Sequence, residues 1–191
     1  NDYWKLSAYE SAKLIKDGSI SAEDLVSSCI ERVNQTNNKI NAIVDDLSSS
    51  ALEKAHELDK LTKKGKSKGP LHGIPITIKE NIDQKGYATP NGLEAQKDLI
   101  APGNAPVVDN LEQDGAIVIG RTNTPEFSMR GTTDNVIHGR TYNPWNDWAS
   151  PGGSSGGASA AVMSGMGSLA HGNDIAGSLR IPSTATGACT V

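Results

Sequence analysis

Residues 151–182 read "PGGSSGGASAAVMSGMGSLAHGNDIAGSLRIP", and the reading of the whole chain turns on them. A Gly/Ser run of this kind can be a flexible linker. Here small and apolar residues follow at helical density, so the run is a loop entering a helix over 156–165. A short strand is expected over 168–171, and then a turn that closes on Ser178. Glycines on both sides of Ser154-Ser155 permit unusual backbone angles and close approach by another group. A phosphate-binding loop would need a Gly-Lys-Ser/Thr ending, and no lysine stands there. The turn before Ser178, built from Ile175, Ala176 and Gly177, can aim several backbone N–H groups at one oxyanion.

A serine needs a base to become a nucleophile. The stretch "GPLHGIPITIKENID" offers one, with Lys79 directly after an apolar strand over 74–78 whose proline favours its beginning or an edge. A lysine at a strand end can simply reach water. Held near a buried site it loses its proton more readily, because desolvation disfavours the charged form, and neutral lysine is a general base. Ser-Lys variants of the catalytic triad are known. His72, His138 and His171 read as structural residues, and Ser155 as a hydrogen-bonding neighbour of Ser154. Asn123, in "RTNTPEF", reads as a residue that positions backbone. Asp174 and Arg180 flank the turn and read as a buried ion pair or hydrogen-bond network that shapes it.

Outward from this centre the N-terminal third reads as helices. Ser7 with Glu10 and Ser21 with Asp24 are hydroxyl-carboxylate pairs at capping-box spacing. Gly18 is placed to end the first helix. Leu25, Val26, Cys29, Ile30 and Val33 form an apolar stripe on the second. A strand is expected over 40–44 and a helix over 48–61, followed by a Lys/Gly loop. Beyond it the pattern alternates: strand 74–78, helix 106–113, strand 116–120. The organisation expected is a helical part, residues 1–65, and an α/β part, residues 66–191, with no repeat and no linker.

Composition narrows the function. A net charge of −4 and a pI near 5.5 argue against non-specific binding to nucleic acid or to an anionic membrane. With aromatic residues at 4 %, the core must rest on Leu, Ile, Val and Ala. Two cysteines, Cys29 and Cys189, make no disulfide framework, and no Cys/His spacing points to zinc. No metal or cofactor is expected, and no apolar run approaches a membrane span. A cytoplasmic location is the expectation.

"GIPITIKENID", "GRTNTPEF" and "GGSSGGASAAV…GNDIAGSLRIP", in this order, resemble the amidase signature family. The resemblance covers residues 71–187 and, less distinctly, the N-terminal helices. It implies a mixed β-sheet flanked by helices, with residues 1–191 as the N-terminal part of a longer domain. It implies a Ser-cis-Ser-Lys triad in which Ser178 is the nucleophile, Ser154 the bridging serine after a cis peptide bond, and Lys79 the base. The oxyanion hole would be the N–H groups of Ile175, Ala176, Gly177 and Ser178. Ala176 stands where the family usually carries glycine, and a positive φ there would strain alanine by roughly 1 kcal/mol or more. The activity implied is hydrolysis of a small carboxamide through an acyl-enzyme. Two alternatives are the A subunit of a glutamyl-tRNA amidotransferase, which releases ammonia from glutamine, and an inactive fragment serving as an interaction module. The substrate pocket is not assigned. Exposed apolar faces and an unpaired strand edge would favour self-association.

Overall fold

A computed structural model describes all of residues 1–191. Three helices open the chain: α1 (Ala8–Lys16), α2 (Ala22–Ile40) and, after the strand β1 (Ile43–Asp46), α3 (Ser48–Thr62). Ser7 and Ser21 each close a capping box, with Glu10 and Asp24 returning the bond to the cap backbone. Gly18 follows the end of α1 at φ 78°.

The strand expected over 40–44 begins later. Helix α2 runs on to Ile40 and stops at Asn41, whose left-handed conformation turns the chain into β1. Asn37 holds that turn: its side-chain oxygen accepts from the N–H of Ala42 and of Ile43, and its amide donates to the Ile43 carbonyl.

Then follow β2 (Pro75–Lys79), α4 (Pro106–Gln113), β3 (Ile117–Thr122), the short hairpin of β4 (Asp134–Asn135) and β5 (Gly139–Arg140), α5 (Gly156–Met163), β6 (Leu169–Ala170) and α6 (Arg180–Thr186). The main sheet has the order β1-β3-β2-β6. β2 is parallel to both β3 and β6, while β1 is antiparallel to β3. The sheet is therefore mixed, as the sequence implied. β1, although it lies within residues 1–65, is part of it.

Pro75 is the first residue of β2, and the strand is central rather than at an edge. Every residue of β2 and β3 is buried, the pattern of parallel strands covered on both faces. A core of Ile15, Leu25, Val26, Cys29, Leu58, Ile76, Ile78 and Ile119, among others, joins α1, α2, α3 and the sheet. Ile30 and Val33 of the α2 stripe pack at its margin. Cys29 is fully buried and burial pushes its thiol up to about 12, so it is an inert packing group. A second cluster sets Ala160 and Ala161 of α5 and Met166 against Ile40, Ala42 and Ile43.

The parallel arrangement brings three strand ends to one edge. Lys79 ends β2, Thr122 ends β3 with Asn123 next along the chain, and the segment 171–178 leaves β6 beside them, anchored where the His171 N–H donates to the Thr77 carbonyl at 2.8 Å. In open α/β sheets this carboxyl edge is where ligands bind.

Candidate active site

Lys79 is fully buried and forms no salt bridge. Its Nζ lies 2.7 Å from Ser154 Oγ, 3.1 Å from Ser155 Oγ and 2.8 Å from Asn173 Oδ1. Burial lowers its pKa to about 7, against the smaller opposing pull of the Asp174 and Glu80 carboxylates. Glu80 is also buried but turned elsewhere, accepting from the Gly92 N–H at 3.1 Å and sitting 3.0 Å from His138 Nε2.

Ser154 and Ser155 reach Lys79 because the loop before α5 is clamped. The peptide bond between Gly153 and Ser154 is cis. The Ser154 carbonyl accepts from the Thr124 hydroxyl at 3.1 Å. The Thr133 hydroxyl donates to the Gly152 carbonyl and accepts from the Gly156 N–H, which satisfies an open donor at the start of α5. Ser155 occupies the N-cap of α5 without capping it. Its hydroxyl instead donates to the Asn173 carbonyl at 3.2 Å and accepts from Lys79. The loop also comes close to the end of β3. A Cβ on Gly157 would stand 2.5 Å from both the N and O of Asn123.

Ser178 is tied to Ser155, whose N–H donates to the Ser178 carbonyl at 3.1 Å. The Ser178 hydroxyl is partly exposed and makes no hydrogen bond. The structure thus joins Lys79 to Ser154 and holds Ser178 against Ser155, without a bond between the Ser154 and Ser178 hydroxyls.

The turn before Ser178 differs in one respect from the expected four-donor oxyanion site. The Gly177 N–H is already engaged, donating to Asp174 Oδ1 at 2.6 Å. Asp174 also accepts from the N–H groups of Leu179 and Arg180 and from the Arg180 guanidinium at 3.0 Å through two nitrogens. Arg180 first, and then these backbone bonds, hold the Asp174 carboxyl far below the usual carboxylate range. The N–H groups of Ile175, Ala176 and Ser178 have no partner in the protein. Ala176 is not left-handed. The positive φ of this turn falls on Gly177, at 113°, so alanine is accommodated.

Asn123 is buried and fully used. Its amide donates to the Gly139 carbonyl and Thr141 Oγ1, and its oxygen accepts from the Thr124 N–H and Asn135 Nδ2. It ties the end of β3 to the β4–β5 hairpin. His72 bonds Thr62 and the Lys68 N–H, remote from Lys79. His171 lies near Lys79 with Nδ1 buried and unpartnered, and burial lowers its pKa.

Two residues escaped the sequence reading. Asn173 is the third partner of Lys79. The only sequence signal was its place in "GNDIAGSLR". Arg121, fully buried, binds Asp45 and the carbonyls of Ala88, Glu80 and Ile82. Nothing in "GRTNTPEF" separates it from a surface arginine. No group of His, Cys, Asp or Glu side chains is arranged to hold a metal ion, and no helix is long and apolar enough to cross a membrane.

A buried lysine linked to a serine at the carboxyl edge of a mixed sheet, beside a turn with free N–H groups, defines a class of protein, and sequence comparison places this chain within it. The model of the Amidase family matches residues 24–189, and the chain belongs to that family. It is 54 % identical over 188 residues to an indoleacetamide hydrolase of Bradyrhizobium diazoefficiens, covering 98 % of this chain and 36 % of the relative. It is 38 % identical to the A subunit of a glutamyl-tRNA(Gln) amidotransferase of Natranaerobius thermophilus, covering 96 % and 37 %. A fatty acid amide hydrolase structure superposes with a TM-score of 0.93 at 34 % identity, over 96 % of this chain and 32 % of that one. The chain thus spans 32 % to 37 % of the length of these proteins.

Proposed function

We propose that this chain carries the catalytic centre of an amide hydrolase, with Ser178 as nucleophile, Ser154 as proton relay and Lys79 as base. One observation carries the reading: a lysine with no carboxylate partner, wholly buried and with a pKa lowered to about 7, stands 2.7 Å from the Ser154 hydroxyl. A lysine serving only to stabilise the fold would gain more from an ion pair. A lysine that must accept a proton near neutral pH needs this environment.

The chemistry follows from the groups present. Ser178 Oγ turns to Ser154 and attacks the carbonyl carbon. Its proton passes to Ser154 Oγ as the Ser154 proton passes to Lys79 Nζ. The tetrahedral oxyanion is met by the N–H groups of Ile175, Ala176 and Ser178. Lys79 then returns a proton through Ser154 to the leaving nitrogen. The C–N bond breaks, ammonia or an amine departs, and the acyl group remains as an ester on Ser178. Water enters by the same relay in reverse, and the acid leaves. Gly177 contributes conformation, not a donor, because Asp174 holds its N–H.

The substrate we favour is a small primary amide bearing an aromatic group. The support is the 54 % identity to an indoleacetamide hydrolase, against 38 % to the amidotransferase relative. The same reading takes residues 1–191 as the N-terminal portion of the catalytic domain, working in the cytoplasm without a cofactor. A fluorophosphonate probe tests it. Labelling that maps to Ser178 and is blocked by indole-3-acetamide is the expected result. Labelling at another residue, or none, overturns the assignment.

A further inference from the structure

Lys79 Nζ has three partners, and the hydrogens among them can be counted. The ammonium form carries three N–H bonds and donates to all three. The neutral form carries two N–H bonds and one lone pair, so one partner must become a donor to nitrogen. Asn173 Oδ1 can only accept. Its orientation is set by the far side of the amide, where Asn173 Nδ2 donates to Asn81 Oδ1 at 3.1 Å. Asn81 Nδ2 donates in turn to Ser128 Oγ at 3.1 Å, and Ser128 donates to Asn91 Oδ1 at 2.8 Å. A reversed Asn173 amide would set donor against donor along this chain. The Ser155 hydroxyl has one hydrogen, already given to the Asn173 carbonyl, so it too can only accept from Lys79. Ser154 Oγ has no other acceptor for its hydrogen.

We propose that Asn173 is a positioning residue: its side-chain oxygen, with the committed hydroxyl of Ser155, occupies both N–H bonds of neutral Lys79 and turns the lone pair onto the Ser154 hydroxyl. This rests on the catalytic reading above and deepens it. The lone pair then points at the one hydroxyl whose proton the reaction must move. Without Asn173 the amine could rotate and hydrogen-bond Ser154 as a donor, which is the wrong sense for a base. Asn173 holds this place from the segment that also carries Ser178, so the nucleophile and the orientation of its base are set by one stretch of chain.

Other titratable groups near Lys79 are Asp174 and His171, from the segment after β6, and Glu80, the next residue along the chain, whose carboxylate is turned to Gly92 and His138. A substitution at Asn173 leaves all three in place, so its effect is separable from theirs. Two variants move the lysine in opposite directions. Asn173→Asp keeps an acceptor and adds a negative charge, which favours the ammonium. Asn173→Ala removes an acceptor that binds the ammonium more strongly than the amine.

The test uses the 191-residue chain with 13Cε-labelled lysine. The Lys79 titration is followed by NMR, and the rate of fluorophosphonate labelling at Ser178 is followed against pH. In Asn173→Asp the lysine midpoint and the labelling midpoint should both rise, by about one to three pH units. In Asn173→Ala the midpoint should fall, while the plateau rate drops about tenfold to a hundredfold through lost orientation. Asn81→Ala, which frees the Asn173 amide, should change the plateau in the same sense as Asn173→Ala and more weakly. It serves as the deciding variant if either Asn173 substitution fails to fold. Unchanged midpoints and plateaus in the folded variants overturn the proposal. Failure of the catalytic reading looks different: labelling that persists in Lys79→Ala removes lysine as the base, while the NMR titration still reports whether Asn173 orients it.

Discussion

Lys79 is fully buried, and its Nζ meets three side-chain oxygens and no carboxylate. Its burial costs the charged form, and three neutral acceptors replace water without supplying a counter-charge. The pKa lowered to about 7 sets the sign of the pH dependence. Below about 7 the ammonium dominates and cannot accept a proton; above it the amine does. The labelling rate at Ser178 should therefore rise with pH through about 7 and then level, and Lys79→Ala should remove that rise along with most of the rate. A Lys79→Ala protein that keeps the same rise would transfer the role of base to His171, the histidine near it. Ser178→Ala should abolish labelling and any amide hydrolysis while the circular dichroism spectrum and melting temperature stay near the parent values, because its hydroxyl bonds nothing. Substantial residual turnover would remove it as nucleophile.

Among the elements, α5 decides whether the serines arrive. In its first turn Gly156 packs against Thr133 and Pro151, and Gly157 against the backbone of Asn123 just after β3. A methyl at Gly157 meets Asn123 N and O at 2.5 Å, and neither atom can rotate away. Gly157→Ala should then destabilise the protein by about 1–3 kcal/mol, the usual range for overpacking, read as a lower midpoint in urea. It should also slow labelling at Ser178, since relief of the clash moves the loop that carries Ser154. Unchanged stability and labelling would mean that β3 yields at this contact without moving the loop. The helices α1 and α2 start by local means instead, each from its own capping box.

At the scale of the whole molecule, Arg121 and the exposed apolar side chains pull in different directions. Arg121 ties β3 to Asp45 and to the backbone at Glu80, Ile82 and Ala88. Arg121→Ala removes a fully buried guanidinium from a part-exposed Asp45 and leaves three carbonyls without it, so a clear loss of stability is expected, read in the same urea titration. On the outside, Met129, Trp148 and Ile175 are 83 %, 91 % and 100 % exposed, and Trp145 and Val136 are also open. Exposed apolar surface favours self-association when it forms a contiguous patch. Sedimentation velocity of the 191-residue chain should show an apparent mass that rises with concentration. A single monomeric species at every concentration would end that expectation.

Much of this architecture was legible in the chain itself. Both capping boxes, the apolar stripe of α2, the buried strands around 74–78 and 116–120 and the order of the Lys79, Ser154 and Ser178 stretches are local patterns. Periodicity, hydroxyl-carboxylate spacing and glycine placement express them within a few residues. The exact start of β1 was not local, because Asn37 and Asn41 redirect the chain through contacts at the helix end. Nor was the fate of the Gly177 N–H, the burial of Arg121 or the third partner of Lys79. Each depends on which groups meet across long stretches of sequence, and hydrogen-bond donors are interchangeable until the fold assigns their acceptors. The residue types and their order name the candidates for acyl chemistry. Which of their hydrogens and lone pairs stay free emerges only in the folded chain, because burial and close packing bring together partners far apart in sequence, such as Lys79 with the Asn173 side chain and Ser155 with the Asn173 carbonyl.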